Sequence, residues 1–384
     1  MMSPDDVAPY DFVPGVMTAS SISTVSGPES GYGLLLRTIY PPLRVFIRWI
    51  GELTTGAELE AEQKRVGVKP TGLFTRLAGK VVLVNNVFGL EYARSLTPNV
   101  VLVGPMLEKK WQPLTQARAE YVNELSIEDK SWLDWRSSSG GTLPVIWVSM
   151  GTIAPLNMRQ VNELYTTFAL GVRSGKFRVL WKLDPSDHKY LPTHLPDSNM
   201  LRITTWVSSQ LGVLAHEATQ IFISHCGINS VHESVYIGTK LLCIPILADQ
   251  ADMAARVYDA GVGSYLSKST FTATNVSDHI DALLSTSNLA AYDRSLTRAR
   301  SAMQLAGGVE RAVDYIEFVD QFGSDALVPI SVGHPWYVRQ EWDIFFIHLT
   351  ILYLLYRLFR CCCCTHRPGR ECVEDRKKNR TKVD

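Results

Sequence analysis

Residues 221–250 read IFISHCGINSVHESVYIGTKLLCIPILADQ. Two short apolar runs, 220–224 and 240–244, flank a segment with helical spacing of its apolar residues, and each run ends in a loop of small and polar residues. A buried strand, a helix and a second buried strand in that order predict one βαβ unit of a parallel sheet. The alternation extends outward, with strands predicted at 145–149, 177–183 and 201–204 and helices at 158–170, 210–216, 230–236 and 252–260. The fold class is therefore α/β with a doubly wound parallel sheet. Ligands of such sheets bind outside the carboxyl ends of the strands, so the loops after the strands carry the chemistry.

Three loops stand out. After 145–149 comes VSMGTIAP, where Gly151 beside the Thr152 hydroxyl lets backbone amides approach a phosphate. After 220–224 comes HCGINSVHES: Gly227 permits a tight turn into a helix expected near Ser230, and His225 and Asn229 add side-chain donors. A helix N-terminus with unpaired amides suits a diphosphate. Glu233, one turn past Asn229, faces the same mouth and can accept from a ribose diol. Ser230-x-x-Glu233 also spells a capping box, which needs no ligand, and the residues leave both readings open. After 240–244, Asp249 and Gln250 offer acceptors and donors that match neighbouring hydroxyls. Upstream, Trp206 and Gln210 bracket a turn in which an indole can stack on a base and an amide can read its edge, or in which the indole merely packs between strands.

The chain has 384 residues, 38 Lys+Arg and 38 Asp+Glu, and 46% hydrophobic residues. Zero net charge leaves no electrostatic footprint for nucleic acid, and the composition excludes a disordered, collagenous or wholly membrane-embedded protein. The basic excess sits in the tail, where residues 357–384 carry nine Lys+Arg against four Asp+Glu. Of seven cysteines, Cys226 and Cys243 are isolated in the globular region while Cys361 to Cys364 and Cys372 cluster near the end, a pattern that predicts no disulfide framework. Four adjacent cysteines lack zinc spacing and fit palmitoylation at a membrane boundary better. No Asp-x-Asp or other ligand cluster accompanies the loops, so no metal is expected.

The order Trp206, Gln210, His225, Gly227, Asn229, Ser230, Glu233, Asp249, Gln250 within 45 residues resembles the donor-binding signature of the UDP-dependent glycosyltransferases, which include glucuronosyltransferases and plant glucosyltransferases. Their patterns read W-x-x-Q, H-C/G-G-x-N-S/G-x-x-E and P-x-x-x-D-Q. This chain departs by one extra residue between Trp206 and Gln210 and by Lys240 where the family usually has Pro. The resemblance spans roughly 80–320 and implies a two-domain, GT-B type architecture. It implies that Trp206 stacks on uracil with Gln210 beside it, that Glu233 holds the ribose, and that His225, Asn229 and Ser230 hold the diphosphate. Gly151 and Thr152 would close over the phosphates, and Asp249 and Gln250 would hold the transferred sugar. No cofactor is implied beyond the UDP-sugar co-substrate. The implied reaction moves a hexosyl group, glucose or glucuronic acid, to a small lipophilic acceptor.

The family's acceptor is deprotonated by a His near the start of the N-terminal domain, with an Asp to orient it. None of the nine histidines here lies in residues 1–187, and Gly333-His334-Pro335 matches another region. The segment LVNNVFGLEYARSLTPNVVLVGPM at 83–106 resembles the end of that domain. The expected organisation is a partial N-terminal domain at 1–105, a linker at 106–143 including SSSGG, a donor domain at 144–325, a transmembrane helix at 342–364 and a basic tail at 365–384. The core of that helix, IFFIHLTILYLLYRLF, reaches span length only when the cysteines are counted. With no signal peptide at the start, the resemblance still implies a single-pass membrane protein of the endoplasmic reticulum; oligomeric state stays open. The alternative is a membrane-anchored, donor-binding pseudoenzyme or partner subunit, the catalytic His-Asp dyad being absent from the chain.

Overall fold

The computed structural model describes residues 50, 52–70, 80–92, 96–107, 111–136, 140–152, 156–247, 249–329, 338 and 342–365, the side chains of 361–365 excepted. The expected features at 1–49, the serines of the 137–139 stretch, Gly333-His334-Pro335 and the tail beyond 365 lie outside them. The chain forms two compact units, Met1–Val328 and Pro329–Asp384.

In the first unit, β1 (Val82–Val84) and β2 (Val100–Leu102) pair parallel as a two-stranded sheet. The main sheet has six strands: β3 (Val145–Ser149), β4 (Arg178–Lys182), β5 (Leu201–Thr204), β6 (Thr219–Ser224), β7 (Lys240–Cys243) and β8 (Gly263–Tyr265). They run parallel in the order β5-β4-β3-β6-β7-β8. The strands are apolar almost throughout because both faces are covered. Along β3, Ile146 and Val148 enter one core with Val179, Trp181, Ile221 and Leu242, while Val145 and Trp147 enter the other with Leu180, Phe222 and Leu241. The order reverses between β3 and β6, which opens a crevice at their carboxyl ends.

The helices are α1 (Ala57–Arg65), α2 (Leu114–Val122), α3 (Ile127–Leu133), α4 (Met158–Arg173), α5 (Gln210–Ala215), α6 (Ile228–Ile237), α7 (Gln250–Asp259), α8 (Ala273–Leu284), α9 (Thr286–Ala306) and α10 (Val309–Phe322). α4 and α8 cover one face of the sheet, and α5, α6, α7 and α9 the other. The segment read as a linker packs on the sheet through Arg178. This fully buried guanidinium donates to the carbonyls of Trp132, Leu133 (3.3 Å), Trp135 (3.4 Å) and Asn199 (2.8 Å). It also lies 4.0 Å from the Trp132 ring centroid and 4.9 Å from that of Trp135. Lys240 is buried, and its ammonium donates at 2.7 Å to Leu283 O near the carboxyl end of α8.

Two expectations are corrected. The segment after Pro329 does form a 24-residue helix, α11 (Trp342–Thr365), but no helix among the described residues is long and apolar enough to cross a membrane. The sequence itself shows why: Asp343, His348, Thr350, Arg357 and Arg360 interrupt the apolar side chains, and each charge at bilayer depth costs several kcal/mol. The transmembrane helix, the membrane as a partner and the single-pass endoplasmic reticulum localisation are therefore withdrawn. Second, Cys226 and Cys243 form a disulfide, with Cα atoms 5.4 Å apart. Pairing of β6 with β7 places Cys243 opposite Ser224 and so brings together cysteines 17 residues apart.

Candidate donor-binding site

The crevice between β3 and β6 is lined by the loops that follow them. His225 leaves β6 with its imidazole between two glycines. A Cβ on Gly151 would stand 2.9 Å from His225 Nε2, and one on Gly227 would stand 2.7 Å from it. Gly151 also has φ +79°, which side-chain-bearing residues rarely adopt. The two glycines thus let the imidazole lie edge-on between the β3 and β6 loops. Burial lowers the His225 pKa, opposed by the Ser149 backbone and the Asp249 charge, so the ring is neutral near pH 7. A neutral imidazole presents one N–H and one lone pair.

α6 begins two residues earlier than expected, with Gly227 as N-cap and no side-chain cap bond. Ser230 is therefore the third residue of the helix, and the capping box spelled by Ser230 and Glu233 does not form at this terminus. By contrast α4 carries a full capping box from Asn157 and Gln160. The first-turn amides of Ile228, Asn229 and Ser230 thus open toward the crevice beside His225, a geometry that suits an anion.

Glu233 lies one turn further, half-buried, and accepts a 2.6 Å hydrogen bond from Gln210 Nε2. Burial raises its pKa, and the Gln210 amide opposes that shift. The extra residue between Trp206 and Gln210 is absorbed by the start of α5, where Ser209 caps the helix by accepting from Gly212 N at 3.0 Å. Trp206, after β5, is 69% exposed, with the Lys182 ammonium 4.6 Å from its ring centroid.

Gln250 opens α7 and is only 8% exposed. Its Oε1 accepts from Ile246 N at 2.8 Å and Leu247 N at 3.0 Å. That carbonyl is committed to the loop, leaving the Nε2 amide as the donor end. Asp249 is exposed at the N-cap, close enough to His225 and Asp252 to act on their titration. Asn229 and Thr152 are exposed and Ser230 is half-buried. Gln210 and Glu233 thus pair with each other across α5 and α6, and Gly151, His225 and Gly227 converge after β3 and β6.

Sequence reasoning missed a polar cluster beside α7. Glu91 pairs with Arg256 at 3.0 Å, both nearly buried, and Arg256 also lies 5.1 Å from the Tyr92 ring centroid. Asp252 in the same cluster is pushed up to about 6, chiefly by burial and also by Asp249 and Glu91, with Arg256 opposing. The spacing Asp249, Asp252, Arg256 on one helix face was the available signal. Among the described residues, no group of three or more His, Cys, Asp or Glu side chains could hold a metal ion.

A family model described as UDP-glucoronosyl and UDP-glucosyl transferase matches residues 59–379. The chain belongs to this family. Among its relatives, a "UDP-glycosyltransferase" of Talaromyces amestolkiae is 25% identical over 378 residues, covering 91% of this chain and 68% of the relative. "UDP-glucuronosyltransferase 3A1" of Mus musculus is 26% identical over 277 residues, covering 70% of this chain and 47% of the relative. Against several such transferases the chain therefore spans about half of their length. Among solved structures, Os79 from O. sativa in complex with UDP is similar with a TM-score of 0.50 and 26% identity, covering 65% of this chain and 56% of that one. The glycotransferase of kitacinnamycin shares the fold, with a TM-score of 0.53 at 18% identity over 73% of this chain and 66% of that one. The GT-B-like architecture of this UDP-glycosyltransferase chain is thus supported.

Proposed function

We propose that this chain binds the UDP part of a UDP-sugar in the β3/β6 crevice and serves hexosyl transfer, of glucose or glucuronic acid, to a small lipophilic acceptor. The observation that carries this reading is the uncapped N-terminus of α6, open beside an imidazole held between Gly151 and Gly227, with the Gln210–Glu233 pair one turn away. The similarity to Os79 with bound UDP supports it. In this reading Trp206 stacks on the base and Gln210 holds both the base edge and Glu233. Glu233 accepts from the ribose hydroxyls, while the amides at 228–230, with His225, Asn229, Ser230, Gly151 and Thr152, receive the diphosphate. Asp249 accepts from the sugar hydroxyls and the Gln250 amide donates to them.

Transfer breaks the bond between the anomeric carbon and the β-phosphate oxygen as the acceptor oxygen attacks from the opposite face, and UDP leaves with the electron pair. Charge accumulates on the leaving diphosphate, so fixed amides and an imidazole N–H aimed there stabilise the transition state more than the ground state. The acceptor proton needs a base, which by itself supplies about 10² to 10⁴ in rate. None of the residues named here fills that role. The second reading is a donor-binding pseudoenzyme or partner subunit, for which the donor site alone would suffice.

Calorimetric titration of UDP and UDP-glucose into the full chain, beside Glu233→Ala and His225→Ala, tests the donor site. Saturable binding weakened in both variants is expected; no binding by the folded wild type overturns the reading. A transfer assay with a panel of lipophilic hydroxyl acceptors separates enzyme from pseudoenzyme.

A further inference from the structure

Lys182 is the last residue of β4, and parallel pairing sets it opposite Thr204, the last residue of β5. Two residues on, Trp206 is pinned at its backbone: its amide donates to Thr204 Oγ1 at 3.3 Å and its carbonyl accepts from that hydroxyl at 2.7 Å. The backbone is thus fixed while the indole, 69% exposed, keeps its side-chain freedom unless something holds it. What lies against it is the Lys182 ammonium, 4.6 Å from the ring centroid. A cation over one face of an indole is attracted by the ring quadrupole and blocks that face to other partners. The opposite face is left to stack.

We propose that Lys182 is a positioning residue for the nucleobase: by holding one face of Trp206 it presents the other, already oriented, to the uracil. The inference rests on the donor-site reading above. Its physical content is preorganisation. A free exposed indole must be ordered when a base stacks on it, whereas one already held by a cation from the neighbouring strand has lost that freedom beforehand. An exposed cation–π contact has a strength that corresponds to about a two- to five-fold change in a binding constant. Arginine meets the same requirement, being planar, permanently charged and well suited to stacking on an indole.

The test is titration of uridine and of UDP into the full chain as wild type, Lys182→Met and Lys182→Arg, and of UDP into Trp206→Ala with and without Lys182→Met. The inference expects Lys182→Met to weaken uridine and UDP alike, by about two- to five-fold, expects Lys182→Arg to restore both, and expects the loss to vanish in the Trp206→Ala background. Unchanged affinity in Lys182→Met overturns it, as does a loss that persists without Trp206. A loss confined to UDP means that Lys182 meets a phosphate instead, and tighter binding means that its ammonium covers the stacking face; either overturns the inference while leaving the donor site standing. Failure of the folded wild type to bind UDP removes the donor-site reading itself.

Discussion

Gln210 donates its side-chain amide to Glu233 at 2.6 Å, joining the first residue of α5 to the second turn of α6. The contact ties the turn that carries Trp206 to the helix whose N-terminus faces the crevice. It also fixes which carboxylate oxygen remains for a ligand, since Oε2 is the one engaged. Glu233→Ala removes the acceptor of two hydroxyls and should weaken UDP binding about 10- to 100-fold, as loss of charged hydrogen bonds does. Gln210→Ala should cost less, about 3- to 10-fold, because it loosens the carboxylate without removing it. Calorimetry on both variants checks the order; equal losses would mean that the pair acts as a unit.

Gly151→Ala should abolish measurable UDP binding while the protein still folds. The new methyl meets the His225 ring at 2.9 Å and the residue must hold φ +79°. A left-handed conformation costs a side-chain-bearing residue about 1 to 2 kcal/mol, so a fall of a few degrees in Tm is expected beside the larger functional loss. Thermal scanning and titration on the same sample decide it, and a variant that binds normally would show that the imidazole need not lie where it does.

His232, on the buried side of α6, sets a pH limit on the fold. Burial lowers its pKa to about 4, and its Nε2 lies 3.5 Å from Asn86 Oδ1. The unfolded state therefore takes up a proton first, near pH 6.5, and stability falls as pH drops from 6.5 toward 4. The full difference is about 3 kcal/mol. Urea unfolding of wild type and His232→Gln at pH 7 and pH 4.5 checks this: most of that loss should disappear in the variant.

Arg178→Ala should destabilise the first unit by about 3 to 5 kcal/mol, since several carbonyls lose their donor in a buried place. Burial holds the guanidinium down to about 10, still charged at neutral pH. Arg178→Lys should recover little, because one ammonium cannot reach carbonyls on Trp132, Leu133, Trp135 and Asn199 at once. Chemical denaturation measures both.

The strands were legible because burial on both faces leaves a nearly continuous apolar run, and VIWVS at 145–149 is one such. The edge strand GSY at 263–265 carries no such signal. α6 begins two residues before the expected start because Ser230 and Glu233 imitate a cap, whereas the turn is made by Cys226 at φ 58° and by Gly227. The dual duty of Gln250 was invisible, since nothing local says that two amides of its own loop will claim its carbonyl. The apolar stretch at 344–359 reaches span length only with the cysteines, and Arg357 and Arg360 break its apolar character toward the carboxyl end. The resemblance supplied the order of the site residues; the parallel register of β3 and β6 is what brings the loops of Gly151 and His225 side by side.

The bond between Cys226 and Cys243 turns α6 and its flanking turns into a closed covalent ring. A backbone cut anywhere from 227 to 242 would leave both halves of the chain attached, and the nick would show on a gel only after reduction. The bond also means that the turn carrying His225 and the run leading to Asp249 share one anchor, so neither loop can be displaced without dragging the other's root.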